Sequence, residues 1–131
     1  RTFGVVVDTS GSMSAKQIGM ALGSIASYAA AKDVPFVRII FCDAKATDAG
    51  YLAPEDIAGR VKVTGRGGTI LQPGVDCLEQ ANDFPKDGPI LIITDGEIEN
   101  DLKVRREHAF LLPRGNRLPF RARGEVFYFR E

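Results

Sequence analysis

The chain has 131 residues, 44% apolar and 26% charged, enough for one globular domain with a proper core and too short for two. No apolar run approaches the ~18 residues that cross a bilayer, no signal-peptide pattern precedes the first strand, and two cysteines with a single histidine exclude a conventional zinc centre. The formal charge is zero but lopsided, since residues 103–131 hold eight Lys/Arg against three Asp/Glu and the preceding residues are acidic to match.

The stretch FGVVVDTSGSM, Phe3 to Met13, is an apolar run that stops at an aspartate and continues in small and hydroxyl residues. Phe3, Val5, Val6 and Val7 form the unalternating run of a strand covered on both faces. Ligands of open α/β sheets bind outside the carboxyl ends of strands, which is where Asp8, Ser10 and Ser12 fall. Their i, i+2, i+4 spacing, with Gly11 easing the turn, lets three oxygens converge. Oxygen-only ligation suits a hard cation, Mg²⁺ with Mn²⁺ or Ca²⁺ as substitutes. The same residue types also build ordinary turns. Arg1 opens almost directly on this strand, as in a domain cut from a longer protein, and the cytoplasm is the default location.

Ser14 with Gln17 makes a capping box that predicts a helix start. Ile18, Ala21, Leu22, Ile25, Tyr28 and Ala29 form its apolar stripe. Gly19 and Gly23 within it suggest close approach to the sheet, and Asp33 and Pro35 mark its exit. Phe36 to Cys42 reads as a second buried strand, completing a βαβ unit and so a parallel pair. Asp43 at its end either caps the next turn or rims the metal site. Ala44 to Leu52 reads as a short edge strand, Pro54 to Gly59 as a helical turn around Ile57, and Val61 to Thr64 as an alternating segment. Gly65 to Gly68 then opens a loop that delivers Thr69, whose hydroxyl is a further candidate ligand. The loop matches neither a dinucleotide fingerprint nor a P-loop.

Pro73 starts the next helix, with Val75, Leu78 and Ala81 inward. Pro89 to Thr94 reads as a central strand closed by Asp95. Glu97, Glu99 and Asp101 follow as solvated charge or as a selective rim, the former being the plainer reading. Ala109 to Leu112 and Val126 to Phe129 read as closing strands with no strong helical pattern between them. The basic tail interleaves Arg with apolar residues and offers no obvious stacking platform, which argues against nucleic acid. Cys42 and Cys77 sit in different predicted elements and are expected as free thiols.

Taken together, Asp8, Ser10, Ser12, Thr69 and Asp95 resemble the metal-ion-dependent adhesion site (MIDAS) of von Willebrand factor A (VWA) domains. The resemblance covers the whole chain. DTSGSM, the strand end FCDA, GGT and ITDG are most similar to compact bacterial VWA-like domains that follow metallopeptidase-like regions. This implies a single α/β domain over residues 1–131, doubly wound and Rossmann-like, with a mostly parallel central sheet and helices on both faces. Typical members are longer, and the last third here is short of helices. The resemblance also implies that Ser10, Ser12 and Thr69 bind the cation directly while Asp8 and Asp95 act largely through water. Neutral hydroxyl ligands leave the ion's charge mostly uncompensated, so an open position attracts a carboxylate from outside.

The expected function is therefore a Mg²⁺-dependent protein-binding module rather than an enzyme. Its expected partner supplies an acidic residue, from another domain of the same chain or from an AAA+ ATPase, with no nucleic acid and no membrane involved. The alternatives are a metal-dependent hydrolase, phosphatase- or nuclease-like, and a structural domain of a peptidase- or AAA+-associated protein. A haloacid-dehalogenase phosphatase would place an aspartate where Ser10 stands. A serine hydrolase would need His108 to reach Ser10, and a nuclease would need more than the loose cluster Asp95, Glu97 and Glu99.

Overall fold

Strands with no polar side must be covered on both faces, and the Val/Ile runs accordingly form the middle of one six-stranded sheet. The computed structural model describes residues 2–60 and 69–130. Its strands are β1 (Gly4–Asp8), β2 (Val37–Cys42), β3 (Ala46–Leu52), β4 (Ile90–Ile93), β5 (His108–Pro113) and β6 (Glu125–Phe129). The helices are α1 (Ala15–Ala31), α2 (Pro54–Ile57) and α3 (Gln72–Gln80). The sheet order is β3-β2-β1-β4-β5-β6, parallel throughout except for β3, which returns antiparallel at one edge. Strand order reverses direction between β1 and β4, so a crevice opens there at the carboxyl ends. This is the doubly wound α/β architecture the sequence implies. Val61 to Thr64 and the glycine-rich loop up to Gly68 lie outside the described residues.

Alternation along each strand divides the core into two layers. Val5, Val7, Ile39 and Phe41 face Ile18, Ala21, Leu22, Ile25 and Ala29 of α1, with Ile57 of α2 beside them. Val6, Ile40 and Ile92 face Val75 and Leu78 of α3. Helix α1 starts as its capping box dictates, with Ser14 Oγ accepting from Gln17 N and Gln17 Oε1 from Ser14 N, both at 3.1 Å. It ends at Lys32, after which Asp33 takes a left-handed conformation with φ 56°. Two details of the stripe differ from expectation. Tyr28 is 54% exposed, lying edge-on to Phe3 at the rim of the layer. At Gly23 a Cβ would meet nothing within 4 Å, so close helix–sheet approach is not its role. That role belongs to Gly74 of α3, where a Cβ would lie 2.8 Å from Val6 and 3.1 Å from Cys42.

The parallel connections β4–β5 and β5–β6 contain no helix. Irregular chain covers the sheet instead: Ile98, Leu102 and Val104 before β5, then Leu118, Phe120 and Ala122 before β6, pack on the α3 layer. Both cysteines are free, Cys42 buried and Cys77 half-buried, and burial pushes both thiols up. Among the described residues no helix is long and apolar enough to cross a membrane.

Arg38 is the polar exception inside β2. Only 6% exposed, it donates from Nε and Nη2 to the two carboxylate oxygens of Asp48 on β3, at 3.0 and 2.6 Å. Its Nη1 reaches Asp83 at 2.7 Å, and its guanidinium lies over the Tyr51 ring. Hydrogen bonding from Arg38 holds Asp48 below the usual carboxylate range, outweighing desolvation. A carboxylate depressed on folding contributes stability above its unfolded value, near 3.9, and loses it as pH falls through the folded value. Removing Arg38 strands a half-buried carboxylate, so Arg38→Ala should cost roughly 2 kcal/mol at neutral pH. Urea unfolding is the measurement, and the gap from wild type should narrow as pH falls below about 4. Equal midpoints at neutral pH would contradict this account of Arg38.

Candidate metal centre

The end of β1 sets the geometry. Asp8 is fully buried, and its Oδ1 accepts from the backbone N–H of Ser10 at 2.9 Å, turning the chain sharply out of the sheet. Met13 buries completely in the α1 layer and its N–H bonds Ser10 O at 3.2 Å, which pins the far end of the loop. Between these anchors the Ser10 and Ser12 hydroxyls lie 2.8 Å apart, Ser10 buried and Ser12 open to solvent. Asp8, Ser10 and Ser12 are thus one hydrogen-bonded unit, with a hydroxyl pair at the mouth.

The neighbouring strand β4 supplies the second half. Thr94 Oγ1 donates to Asp8 Oδ2 at 2.8 Å and accepts from Gly96 N at 3.1 Å. Asp95, 4% exposed, accepts from Glu97 N at 3.0 Å, and its carbonyl accepts from Asn116 Nδ2 at 3.0 Å. Burial raises the Asp8 carboxyl above its ordinary range; hydrogen bonds from Ser10 and Thr94 offset part of this, and the Asp95 charge adds to it. Two buried carboxylates facing one edge are a situation that a cation relieves. Gly96 is obligatory here. Its φ is 92°, and a Cβ would come within 2.0 Å of the Arg117 carbonyl oxygen.

Thr69 is buried at 4% exposure and pairs in a single parallel bridge with Ile98, just past Asp95. Its Oγ1 is the one buried side-chain polar atom with no hydrogen-bond partner among the described residues. Buried hydroxyls are almost always satisfied, so an orphan on a residue that bridges the loop just past Asp95 is what a ligand site would present. Among the described residues no three His, Cys, Asp or Glu side chains cluster to hold a metal. The donor set at this edge is instead mixed, two carboxylates and three hydroxyls, which matches the preference of Mg²⁺ for oxygen with retained water.

Sequence reasoning named these five as candidates; three further residues that hold this region together gave no such signal. Thr94 was visible only as the residue before Asp95, with nothing local to say that it reaches Asp8. Asn116, in the loop after β5, gave no signal at all. Glu99 was read as solvated charge, and this is corrected: its carboxylate accepts from Leu71 N at 2.9 Å and from Gln72 N at 2.9 Å. Leu71, the N-cap of α3, has no side-chain cap of its own, so Glu99 supplies the cap from a distant loop. Asp43 does cap the turn after β2, accepting from Lys45 N at 3.3 Å.

A family description, "VWA-like domain", matches residues 3–106, a span that contains all five candidate ligands. The chain belongs to the VWA-like domain family DUF2201. Among solved structures this VWA-like chain is similar to an aerotolerance-related membrane protein from Bacteroides fragilis, at 17% identity and a TM-score of 0.61, covering 90% of this chain and 71% of the other. It is also similar to proximal thread matrix protein 1 from the mussel byssus, at 16% identity and a TM-score of 0.68, covering 97% of this chain but only 40% of that one. At such identities the likeness establishes the fold alone. Comparison with curated protein sequences gives no match.

In this VWA-like fold Glu99 fastens the start of α3, and with it Thr69, to the loop after Asp95. Replacing it leaves the Leu71 and Gln72 amides uncapped. Glu99→Ala should therefore cost about 1 to 2 kcal/mol in thermal or urea unfolding and deprive those two amides of hydrogen-exchange protection. Unchanged protection would show that the cap is dispensable.

Proposed function

We propose that the carboxyl edge of β1 and β4 holds a divalent cation, Mg²⁺ by preference, and that the domain is a binding module whose protein partner completes the coordination with a carboxylate. The buried hydroxyl of Thr69, without a hydrogen-bond partner among the described residues, carries this reading. Ser10, Ser12 and Thr69 would hold the ion, with Asp8 and Asp95 behind them as charge. Such a set leaves the ion net positive and open on the solvent side, where Ser12 is exposed. The cation supplies Lewis-acid attraction for an external carboxylate; the protein supplies a rigid rim, since Asp8, Thr94 and Gly96 are already locked together.

Hydrolytic chemistry finds less support. His108 opens β5 level with Ile90, which is itself level with Gly4, so it stands at the amino ends of the strands. Four residues of strand, about 13 Å, separate that level from Asp8. A His108–Ser10 couple is out of reach across such a distance. Glu99, the third member of the loose carboxylate cluster, is engaged in capping α3.

Two substitutions test the reading by different routes. In calorimetry, Asp8→Ala should abolish Mg²⁺ or Mn²⁺ binding while circular dichroism stays native; equal binding heats in variant and wild type would sink the proposal. Thr69→Val removes the orphan hydroxyl but keeps a branched side chain. Without metal it should raise stability by about 1 kcal/mol, because a buried unsatisfied hydroxyl costs that order of energy. The same variant should bind the cation more weakly, so that adding Mg²⁺ stabilises wild type but not Thr69→Val. A metal-free loss of stability would mean that the hydroxyl has a partner within the protein.

A further inference from the structure

Three arginines of the basic tail, Arg114, Arg117 and Arg130, line one open groove. The groove, of about 810 Å³, is lined by Arg114, Asn116 and Arg117 from the loop after β5, with Phe127 and Tyr128 from β6 and Arg130 just beyond it. The three guanidinium groups are exposed and make no ion pair among the described residues. Phe127 and Tyr128 are 49% and 54% exposed, which leaves two aromatic rings in a polar setting. Among the described residues β6 is the outermost strand and pairs only with β5, which leaves an edge along which an extended chain can run.

The groove adjoins the candidate metal centre directly. Asn116 lines it and also donates to the Asp95 carbonyl, while the Arg117 carbonyl oxygen packs against Gly96. Glu99 is engaged at the start of α3, and no carboxylate lines the groove among the described residues.

We infer that this groove takes an extended acidic segment of the partner, with carboxylates on Arg114, Arg117 and Arg130 and an apolar side chain against one of the two exposed rings, Phe127 or Tyr128, which stand on opposite faces of β6. This rests on the proposed metal reading, in which the same partner places a further carboxylate on the cation. Charge complementarity selects the occupant. Three exposed cations with no ion pair among the described residues meet a short acidic peptide, and the aromatic rings add desolvated contact that anions alone do not need. A nucleic acid fits less well, because its continuous backbone charge would extend over the acidic remainder of the domain.

The test uses fluorescence anisotropy with a fluorescein-labelled peptide of Glu-Glu-Leu repeats and its Gln-Gln-Leu counterpart. Proteins are wild type, Asp8→Ala, and the triple variant Arg114→Ser, Arg117→Ser, Arg130→Ser. The Glu peptide should bind wild type in Mg²⁺ and the Gln peptide should not. The triple variant, with Mg²⁺ binding intact by calorimetry, should bind the Glu peptide about tenfold more weakly or worse. Equal Mg²⁺-dependent binding by wild type and triple variant would overturn the groove inference and leave the metal reading standing. Binding that needs the three arginines but ignores EDTA and Asp8→Ala would support the groove and remove the metal from recognition. No binding of the Glu peptide to wild type, or tighter arginine-dependent binding of oligo-deoxythymidine, would overturn the inference.

Discussion

A carboxylate without solvent at the end of the central strand is the constraint to which the rest of this domain answers. Asp8 cannot be hydrated, so both of its oxygens must be met from within, and the two donors come from different places: the backbone just beyond it and Thr94 on the adjoining strand. The first fixes the loop that presents Ser10 and Ser12. The second ties β1 to β4 beyond their last ladder bonds, and through Gly96 reaches the loop that returns from β5. One buried charge therefore organises three segments of chain. Each unmet group in such a network costs free energy, while the apolar layers on either side of the sheet hold the fold itself.

Much of this was legible in the residues. The buried strands announce themselves by runs with no polar face, as in VVV and ILII, and Ser14 with Gln17 located the start of α1 to the residue. Of the five candidate ligands, Asp8 and Asp95 close the adjacent parallel strands β1 and β4, a placement legible from the apolar run before each. What escaped was of one kind. Glu99, Thr94 and Asn116 act on positions 27, 86 and 21 residues away, and no local pattern encodes a partner at that distance. Exposure was misjudged for a related reason. Tyr28 fits the helical stripe, yet the stripe is wider than the layer beneath it, and its ring ends at the rim against Phe3.

The two edges of the sheet are built on different principles. β3 is irregular: its register shifts opposite Ile39 and Ile40, Gly50 adopts φ 78°, and Asp48 is held by the Arg38 guanidinium. Bulges and inward charge of this kind discourage a further strand from adding. β6 has none of these devices, and Phe127 and Tyr128 stand on its two faces in the open. One margin of the domain is closed by its own chemistry and the other is left with edge groups and aromatic surface.

The pairing of β1 with β4 has a consequence for the order in which this protein comes into being. Asp8 and Thr94 are 86 positions apart, so a nascent chain can shape its first strand, helix and second strand long before the second half of the centre has been synthesised. During that interval the hydroxyl loop exists without its opposing carboxylate, and Asp8 has no neighbour to bury it. Contacts so distant in sequence are slow to form and late to be rewarded. If the proposed ion requires both halves, it would recognise only finished molecules and by binding them favour the last non-local step of folding.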